Sequence, residues 1–351
     1  MLHYKFSEVV KRASEGLEAV PRPIQATVNV TSRCNSHCVY CTYGGINYHP
    51  SSDLDFFEIA KLFKDLANFG VRSLSISGGE PFLRKDLEEL IQVATTAGLA
   101  VTVITNGTLL TLKRAQKLAA VGLKNLIISF DTAENRLYRT IRGISVTNSA
   151  LAFKELQEYR RSQDCIPRIA ISVVLTKLNC HSLLHDLEQY LPLLGSQDCI
   201  MIQAYQPPPS LPSSQDQLRF HKNDRQMLEH LCQDLICHQA QGWKIGNSTD
   251  FLERLPGFLA QNILPEGYKC LTAYSSLFIK ENFDVHPCWQ MLPVGNLRRT
   301  SLQELWSNPD FSHARREMER LRCRKCALVC HDAEALDLLA ELVNYEPFPK
   351  I

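Results

Sequence analysis

The 351-residue chain has almost no surplus of charge: 38 lysines and arginines face 37 aspartates and glutamates, a formal net charge of +1. No general field therefore draws it to nucleic acid or to an anionic membrane, and a partner must be recognised locally. Long apolar runs are missing as well. Nothing approaches the ~20 apolar residues of a membrane span. Residues 1–20 mix Lys5, Glu8, Lys11, Arg12, Glu15 and Glu18 with apolar residues at helical spacing and lack the apolar centre of a signal peptide. These absences predict a cytoplasmic protein that engages neither membrane nor nucleic acid. There are no internal repeats, and low complexity is confined to one proline run. At 45% hydrophobic, the chain can bury a large core, and one main domain with a smaller one is expected. What it has in abundance is cysteine, thirteen in all. Where thiols are kept reduced, clustered cysteines bind metal or do redox work more often than they form disulfides.

Short apolar, β-branched runs at residues 25–30, 73–77, 100–105, 125–129, 168–175 and 199–204 alternate with amphipathic stretches at 56–69, 87–97, 110–121 and 146–162. This α/β alternation predicts a parallel sheet with right-handed crossovers. Periodicity alone leaves an open barrel and a flat doubly wound sheet as alternatives. The order breaks at Gln206-Pro207-Pro208-Pro209-Ser210-Leu211-Pro212, where consecutive prolines forbid helix and ladder pairing. Residues 216–240 then read as a helix, and residues 270–330 as a hairpin followed by a helix and cysteines. The expected organisation is an N-terminal helical segment (1–23), a main domain (24–212), a helical bridge (213–265) and a small C-terminal domain (266–351).

The first strand runs into Thr31-Ser32-Arg33-Cys34-Asn35-Ser36-His37-Cys38-Val39-Tyr40-Cys41. Three thiols on one loop can wrap an iron–sulfur cube but are one ligand short, which leaves one iron open. A zinc site or ordinary thiols are the competing readings. The loop stands at the C-terminal end of the first strand, where folds of this class place chemistry. CxxxCxxC with an aromatic before its last cysteine resembles the radical S-adenosylmethionine (SAM) superfamily, and the likeness extends as a pattern of strands and motifs over about 210 residues. It implies a partial (βα)6 barrel rather than a flat sheet. It also implies a [4Fe–4S] cluster on Cys34, Cys38 and Cys41, with SAM chelating the open iron and cleaved reductively to methionine and a 5′-deoxyadenosyl radical. Tyr40 then covers the adenine or serves as a core aromatic.

The rest of a SAM pocket follows the strand ends. Ser77-Gly78-Gly79-Glu80-Pro81 comes after the second strand. Paired glycines let backbone approach a ligand, and a carboxylate there can meet an ammonium. By itself a Gly-Gly turn is an ordinary loop. In this place it resembles the superfamily's GGEP motif, which implies that Gly78, Gly79 and Glu80 hold the SAM amino group. Asn106, Ser129 and Asp131 end the third and fourth strands and are good helix caps; the resemblance implies contacts to ribose and methionine. Arg142 in the Arg142-Gly143 pair suits a bidentate carboxylate, and a similar element in related enzymes binds the SAM carboxylate. Gln203, on the sixth strand, is a further expected cofactor contact.

Five more cysteines lie toward the C-terminus. Cys270 and Cys288 flank hairpin arms at 277–279 and 284–286, and Cys323-Arg324-Lys325-Cys326-Ala327-Leu328-Val329-Cys330 follows a helix. Four thiolates close a cube with no open iron, which suits electron transfer or fold-stapling; a zinc ribbon is the alternative. The order cysteine, hairpin, Pro-Cys, Gly-Asn-Leu, helix, CxxC resembles the SPASM and shortened twitch extensions of radical SAM enzymes. A full SPASM extension carries two auxiliary clusters, and five cysteines fit the twitch form. That resemblance implies a second, auxiliary [4Fe–4S] cluster on Cys270, Cys288, Cys323 and Cys326. Cys330 is then an alternate ligand, a hydrogen-donating catalytic thiol or a bystander. Cys165, Cys180, Cys199, Cys232 and Cys237 lack ligand spacing and read as packing residues.

These readings converge on an enzyme that abstracts hydrogen from an organic substrate, fed by an electron donor such as flavodoxin or ferredoxin. Oxidation and epimerisation both remain open. Only about 24 residues precede the first strand, whereas many peptide maturases of this superfamily carry a leader-binding segment there. A small-molecule substrate is therefore the first expectation, a peptide-modifying maturase the alternative, and a non-catalytic iron–sulfur carrier a third reading.

Overall fold

The computed structural model describes residues 5–17, 19–41, 43, 54–160, 167–207, 217–323 and 325–327. Helix α1 (Phe6–Ser14) turns Phe6, Val9, Val10 and Ala13 inward. The chain then alternates: β1 (Gln25–Thr31), α2 (Phe56–Phe69), β2 (Ser73–Gly78), α3 (Leu87–Thr96), β3 (Ala100–Thr105), α4 (Leu112–Ala120), β4 (Asn125–Ser129), α5 (Asn135–Arg142), α6 (Thr147–Arg160), β5 (Arg168–Leu175), α7 (Leu183–Tyr190) and β6 (Cys199–Ala204). Two helices, α8 (Arg225–Ala240) and α9 (Thr249–Gln261), lead to short strands β7 (Ser276–Ile279), β8 (Asp284–His286) and β9 (Gly295–Asn296), and then to α10 (Leu302–Ser307) and α11 (Pro309–Glu319). Caps set several boundaries. The Asp55 carboxylate accepts from Phe57 N to start α2, Ser301 and Glu304 form a reciprocal capping box on α10, and Asn308 with Pro309 opens α11.

The nine strands of the described residues form one sheet in the order β6-β5-β4-β3-β2-β1-β7-β8-β9. β1 to β6 are parallel, each beside its neighbour in sequence. A doubly wound sheet reverses direction at a switch point; this one does not, so right-handed crossovers carry every connecting helix to the same face. The strands show it in their burial. Val28, Ile76, Val103, Ile128, Ile171 and Ile202 are buried on the helical side, while the alternating positions Asn29, Ser75, Thr102, Ser129, Ser172 and Gln203 are small or polar; all of these except Asn29 are partly accessible. A parallel sheet covered on both faces reads as continuous apolar runs. Alternation here leaves an open concave face, and β6 does not return to β1. The result is a partial six-stranded barrel.

The C-terminal hairpin does not stand apart from that barrel. β7 pairs in parallel with β1 from Gln25↔Ser276 to Val28↔Ile279, with Gln25 Nε2 donating to Ser276 Oγ at 2.6 Å, and β8 and β9 continue antiparallel. Trp306 Nε1 donates to Pro21 O, and the buried Arg315 donates to the carbonyls of Ala273 and Trp306, locking α10 and α11 against the edge of the sheet. At the far side, Gln206 Nε2 donates to Lys325 O at 2.6 Å, tying the end of β6 to the CxxC loop. Among the described residues no helix is long and apolar enough to cross a membrane.

Candidate active site

The loop carrying Cys34, Cys38 and Cys41 is braced from three sides by the ends of β2, β3 and α5. From β2, Gly79 N donates to Thr31 O (2.8 Å) and Glu80 N to Arg33 O (2.7 Å). A Cβ at Gly78 would collide with the Thr31 carbonyl and one at Gly79 with the Arg33 carbonyl, and Gly78 also has φ +129°, so only glycine lets the two backbones approach. From β3, Asn106 Nδ2 donates to Asn35 Oδ1 (2.8 Å) and Ser36 Oγ (2.9 Å), while Asn35 Nδ2 reaches Thr108 Oγ1. From α5, the carbonyls of Ile141 and Arg142 accept from Val39 N and His37 N, both at 2.9 Å.

Glu80 is the knot behind these contacts. Its carboxylate is buried and accepts from Phe82 N (3.0 Å), Thr105 Oγ1 (2.7 Å) and Asn106 N (2.7 Å). Burial pushes its pKa up, and those bonds oppose the shift. Asp131 plays the matching part on the other side. Its Oδ2 accepts from Arg142 Nε (2.7 Å) and Tyr40 OH (2.6 Å), and its Oδ1 from Val174 N (2.9 Å). Arg142 Nη1 stands 3.9 Å from Cys38 Sγ, with the Tyr40 and Tyr138 rings beside the guanidinium. Burial works against the Arg142 charge, but Asp131, Tyr40 and Cys38 together hold it protonated. A fixed cation thus lies against a cysteine whose thiol burial pushes up to about 12.

Cys270, Cys288, Cys323 and Cys326 line one small enclosed cavity with Met291, Met318 and Leu321. Burial pushes Cys270 up to about 11 and Cys288 to about 12, and the charges of Cys270, Cys288 and Cys323 bear on one another. Among the described residues no three His, Cys, Asp or Glu side chains are gathered tightly enough to grip a single metal ion. Each set is a group of neighbouring thiols, the donor type that an iron–sulfur cluster takes. The donors fit an open cluster on the first loop and a closed one in the second cavity.

Between the two sets lies a cavity of about 1300 Å³. Tyr40, Cys41, Gly78 and Gln203 line one end and Trp289, Gln290, Met291 and Cys323 the other. Tyr43, which accepts from Asn29 Nδ2 and donates to Glu281 Oε2 (2.8 Å), links β1 to the hairpin turn on the same wall. His286 on β8 also faces it. That ring donates Nδ1–H to Met291 O (2.8 Å), so Nε2 carries the lone pair and is buried without a partner.

Matches to known proteins bear on this geometry. The radical SAM superfamily profile covers residues 28–187, and that of the SPASM iron–sulfur cluster-binding domain covers residues 270–327. Residues 28–187 form a radical SAM domain, and residues 270–327 a C-terminal SPASM domain. The chain is 36% identical over 115 residues to an AdoMet-dependent heme synthase of Methanosarcina barkeri, covering 33% of either chain. A PqqA peptide cyclase of Bradyrhizobium diazoefficiens is 33% identical over 161 residues, 46% of this chain and 41% of that one. A probable GTP 3′,8-cyclase of Methanopyrus kandleri is 39% identical over 125 residues, 35% and 40%. The chain thus spans less than half the length of these curated relatives. Among solved structures, Streptococcus suis SuiB bound to S-adenosylmethionine superposes with a TM-score of 0.66 at 17% identity, over 84% of this chain and 68% of that one. Native anSMEcpe with bound AdoMet gives 0.66 at 15%, over 91% and 99%. At these identities the likeness is one of fold.

Of the site residues expected from sequence, Tyr40, Cys41, Gly78, Gln203 and Cys323 reach the large cavity. Gly79, Glu80, Asn106, Asp131 and Arg142 lie behind the cysteine loop, bonded to it or to one another. Ser129 sits on the accessible side of β4, its backbone carbonyl accepting from Tyr138 OH at 3.0 Å. Cys330 and Cys165 lie outside the described residues. His286, Gln290 and Tyr43 went unnoticed in the sequence. Their signal was faint: single polar residues next to cysteines, in no motif.

Proposed function

We propose that the chain is a radical SAM enzyme that takes a hydrogen atom from a peptide substrate. The observation that carries this reading is the cavity of about 1300 Å³ onto which both cysteine sets open. It exceeds the roughly 300–1,000 Å³ of pockets that enclose one small ligand and so leaves room for a substrate beside SAM, and similarity to the PqqA peptide cyclases favours a peptide as that substrate. The small-molecule expectation is the less well supported of the two. In this reading Cys34, Cys38 and Cys41 hold a [4Fe–4S] cluster with one open iron, and Cys270, Cys288, Cys323 and Cys326 hold an auxiliary one. When bound, the first cluster and SAM supply an electron and a carbon radical strong enough to break an unactivated C–H bond.

The chain's own groups orient and shield. Tyr40, Gly78 and Gln203 present the SAM-binding wall, and Asp131 fixes the Arg142 guanidinium beside Cys38. Glu80 holds the β2 and β3 ends that set the loop, and Ser129 and Asn106 complete the rim. The closed coordination of the second set suits passage of an electron, and a donor of the flavodoxin or ferredoxin class supplies the first. The test is anaerobic turnover with SAM and dithionite on two deuterated pools, tryptic peptides and small metabolites, with deuterium followed into 5′-deoxyadenosine. Transfer from the peptides is expected. Transfer from the metabolites alone overturns the peptide reading, and no 5′-deoxyadenosine at all overturns the enzyme.

A further inference from the structure

We propose that Gln290 donates its side-chain N–H to the auxiliary cluster and thereby sets the potential at which that cluster takes an electron. This rests on Cys270, Cys288, Cys323 and Cys326 as the cluster's ligands. Gln290 follows Cys288 by two positions, and its backbone N already turns toward sulfur, 3.5 Å from Cys288 Sγ. Its side chain lines the cysteine cavity and the large cavity alike, so it stands in the wall between them. Both ends of its amide, Nε2 and Oε1, are buried without a hydrogen-bond partner.

A buried amide left unmade costs stability, so an acceptor is owed to it. Among the described residues, no other group around the small cavity bonds to it. Met291, Met318 and Leu321 are apolar, and the carbonyl of Lys325 is taken by Gln206. The sulfurs of a cluster held by the four thiolates are acceptors in the right place. An N–H directed at cluster sulfur stabilises the reduced, more negative state, and hydrogen bonding of this kind is one of the levers that set cluster potentials. The amide's second N–H and its Oε1 are left for water or for whatever fills the large cavity, which makes Gln290 the side chain shared by substrate space and cluster.

The experiment uses the full chain with Cys34, Cys38 and Cys41 replaced by alanine, so that the auxiliary cluster alone remains. In chain labelled with 15N at glutamine side-chain amides, pulsed EPR of the reduced cluster should show a 15N coupling that Gln290→Leu abolishes. The midpoint potential of Gln290→Leu should move to a more negative value. No 15N coupling with Gln290 in place overturns the proposal whatever the variant does, and a coupling with an unchanged potential overturns its potential-setting part. Should the triple variant hold no iron at all, the ligand assignment itself fails, and the proposal falls with it.

Discussion

The first cysteine set lies on a single short loop between Cys34 and Cys41, whereas the second is assembled from Cys270, Cys288, Cys323 and Cys326. The first is half-exposed at an open cavity and is held from behind by polar contacts: the Glu80 and Asp131 carboxylates, the Asn106 amide and the Arg142 guanidinium. The second is held by apolar packing, with Cys270, Cys288 and Cys326 buried against Met318 and Leu321. An open iron that must exchange ligands needs a rigid polar frame around an accessible face. A closed cluster that only passes electrons needs exclusion of water. The two sites should therefore fail separately and for different reasons.

Asp131→Ala is the harshest way to test that separation. It strips the carboxylate from a buried guanidinium and removes the acceptor for Tyr40 OH and Val174 N. Removing one partner of a buried pair costs about 3–5 kcal/mol. Urea unfolding should show that loss, and iron should leave the first site first; a variant that sheds the second cluster while keeping the first breaks the comparison. Met318→Ala is its counterpart, a buried side chain in the wall of the closed cavity whose truncation costs about 2–4 kcal/mol. Here the second site's iron should be lost with the first retained, read by metal analysis and EPR.

Gly79→Ala acts on the first site alone. The new methyl meets the Arg33 carbonyl and forces the cysteine loop outward, at about 1–3 kcal/mol. Slower or partial reconstitution of the first cluster is the expected outcome, and full iron at wild-type rate counts against the brace. The smallest effect concerns pH. Burial raises the Glu80 pKa from its ordinary 4.5 in the folded chain. The folded state therefore holds a proton that the unfolded chain has released, and stability falls as pH rises from about 4.5 to the raised value. Glu80→Gln should flatten that slope in urea midpoints taken across the acidic range; an unchanged slope places the titration elsewhere.

Much of the barrel was legible because its signals are local. The runs at 100–105, 125–129, 168–175 and 199–204 coincide with β3, β4, β5 and β6, since alternation records which face the helices cover. Boundaries slipped where side chains cap. The stretch at 110–121 becomes α4 from Leu112 because the Thr111 hydroxyl accepts from Arg114 N (3.2 Å), and the helix read from 216 becomes α8 from Arg225 after a 3-10 turn at Lys222–Asp224. The pairing of β7 with β1 was out of reach. Nothing local marks a strand whose partner lies at the other end of the chain. At the site, motif spacing named the residues but not their partners. Asp131 and Arg142 both read as ligand contacts, and the fold turns them toward each other; Gln290 and His286 carry no motif at all and emerge only when buried donors and acceptors are accounted for.

The first cysteine set alone is expected to make SAM reactive. Anaerobic reconstitution of the chain and of the Cys34→Ala, Cys38→Ala, Cys41→Ala triple variant, followed by SAM, dithionite and quantitation of 5′-deoxyadenosine, tests this. About eight irons and steady 5′-deoxyadenosine are expected for the parent, and about four irons with no product for the variant. A triple variant that still forms 5′-deoxyadenosine would show that SAM cleavage does not depend on Cys34, Cys38 and Cys41.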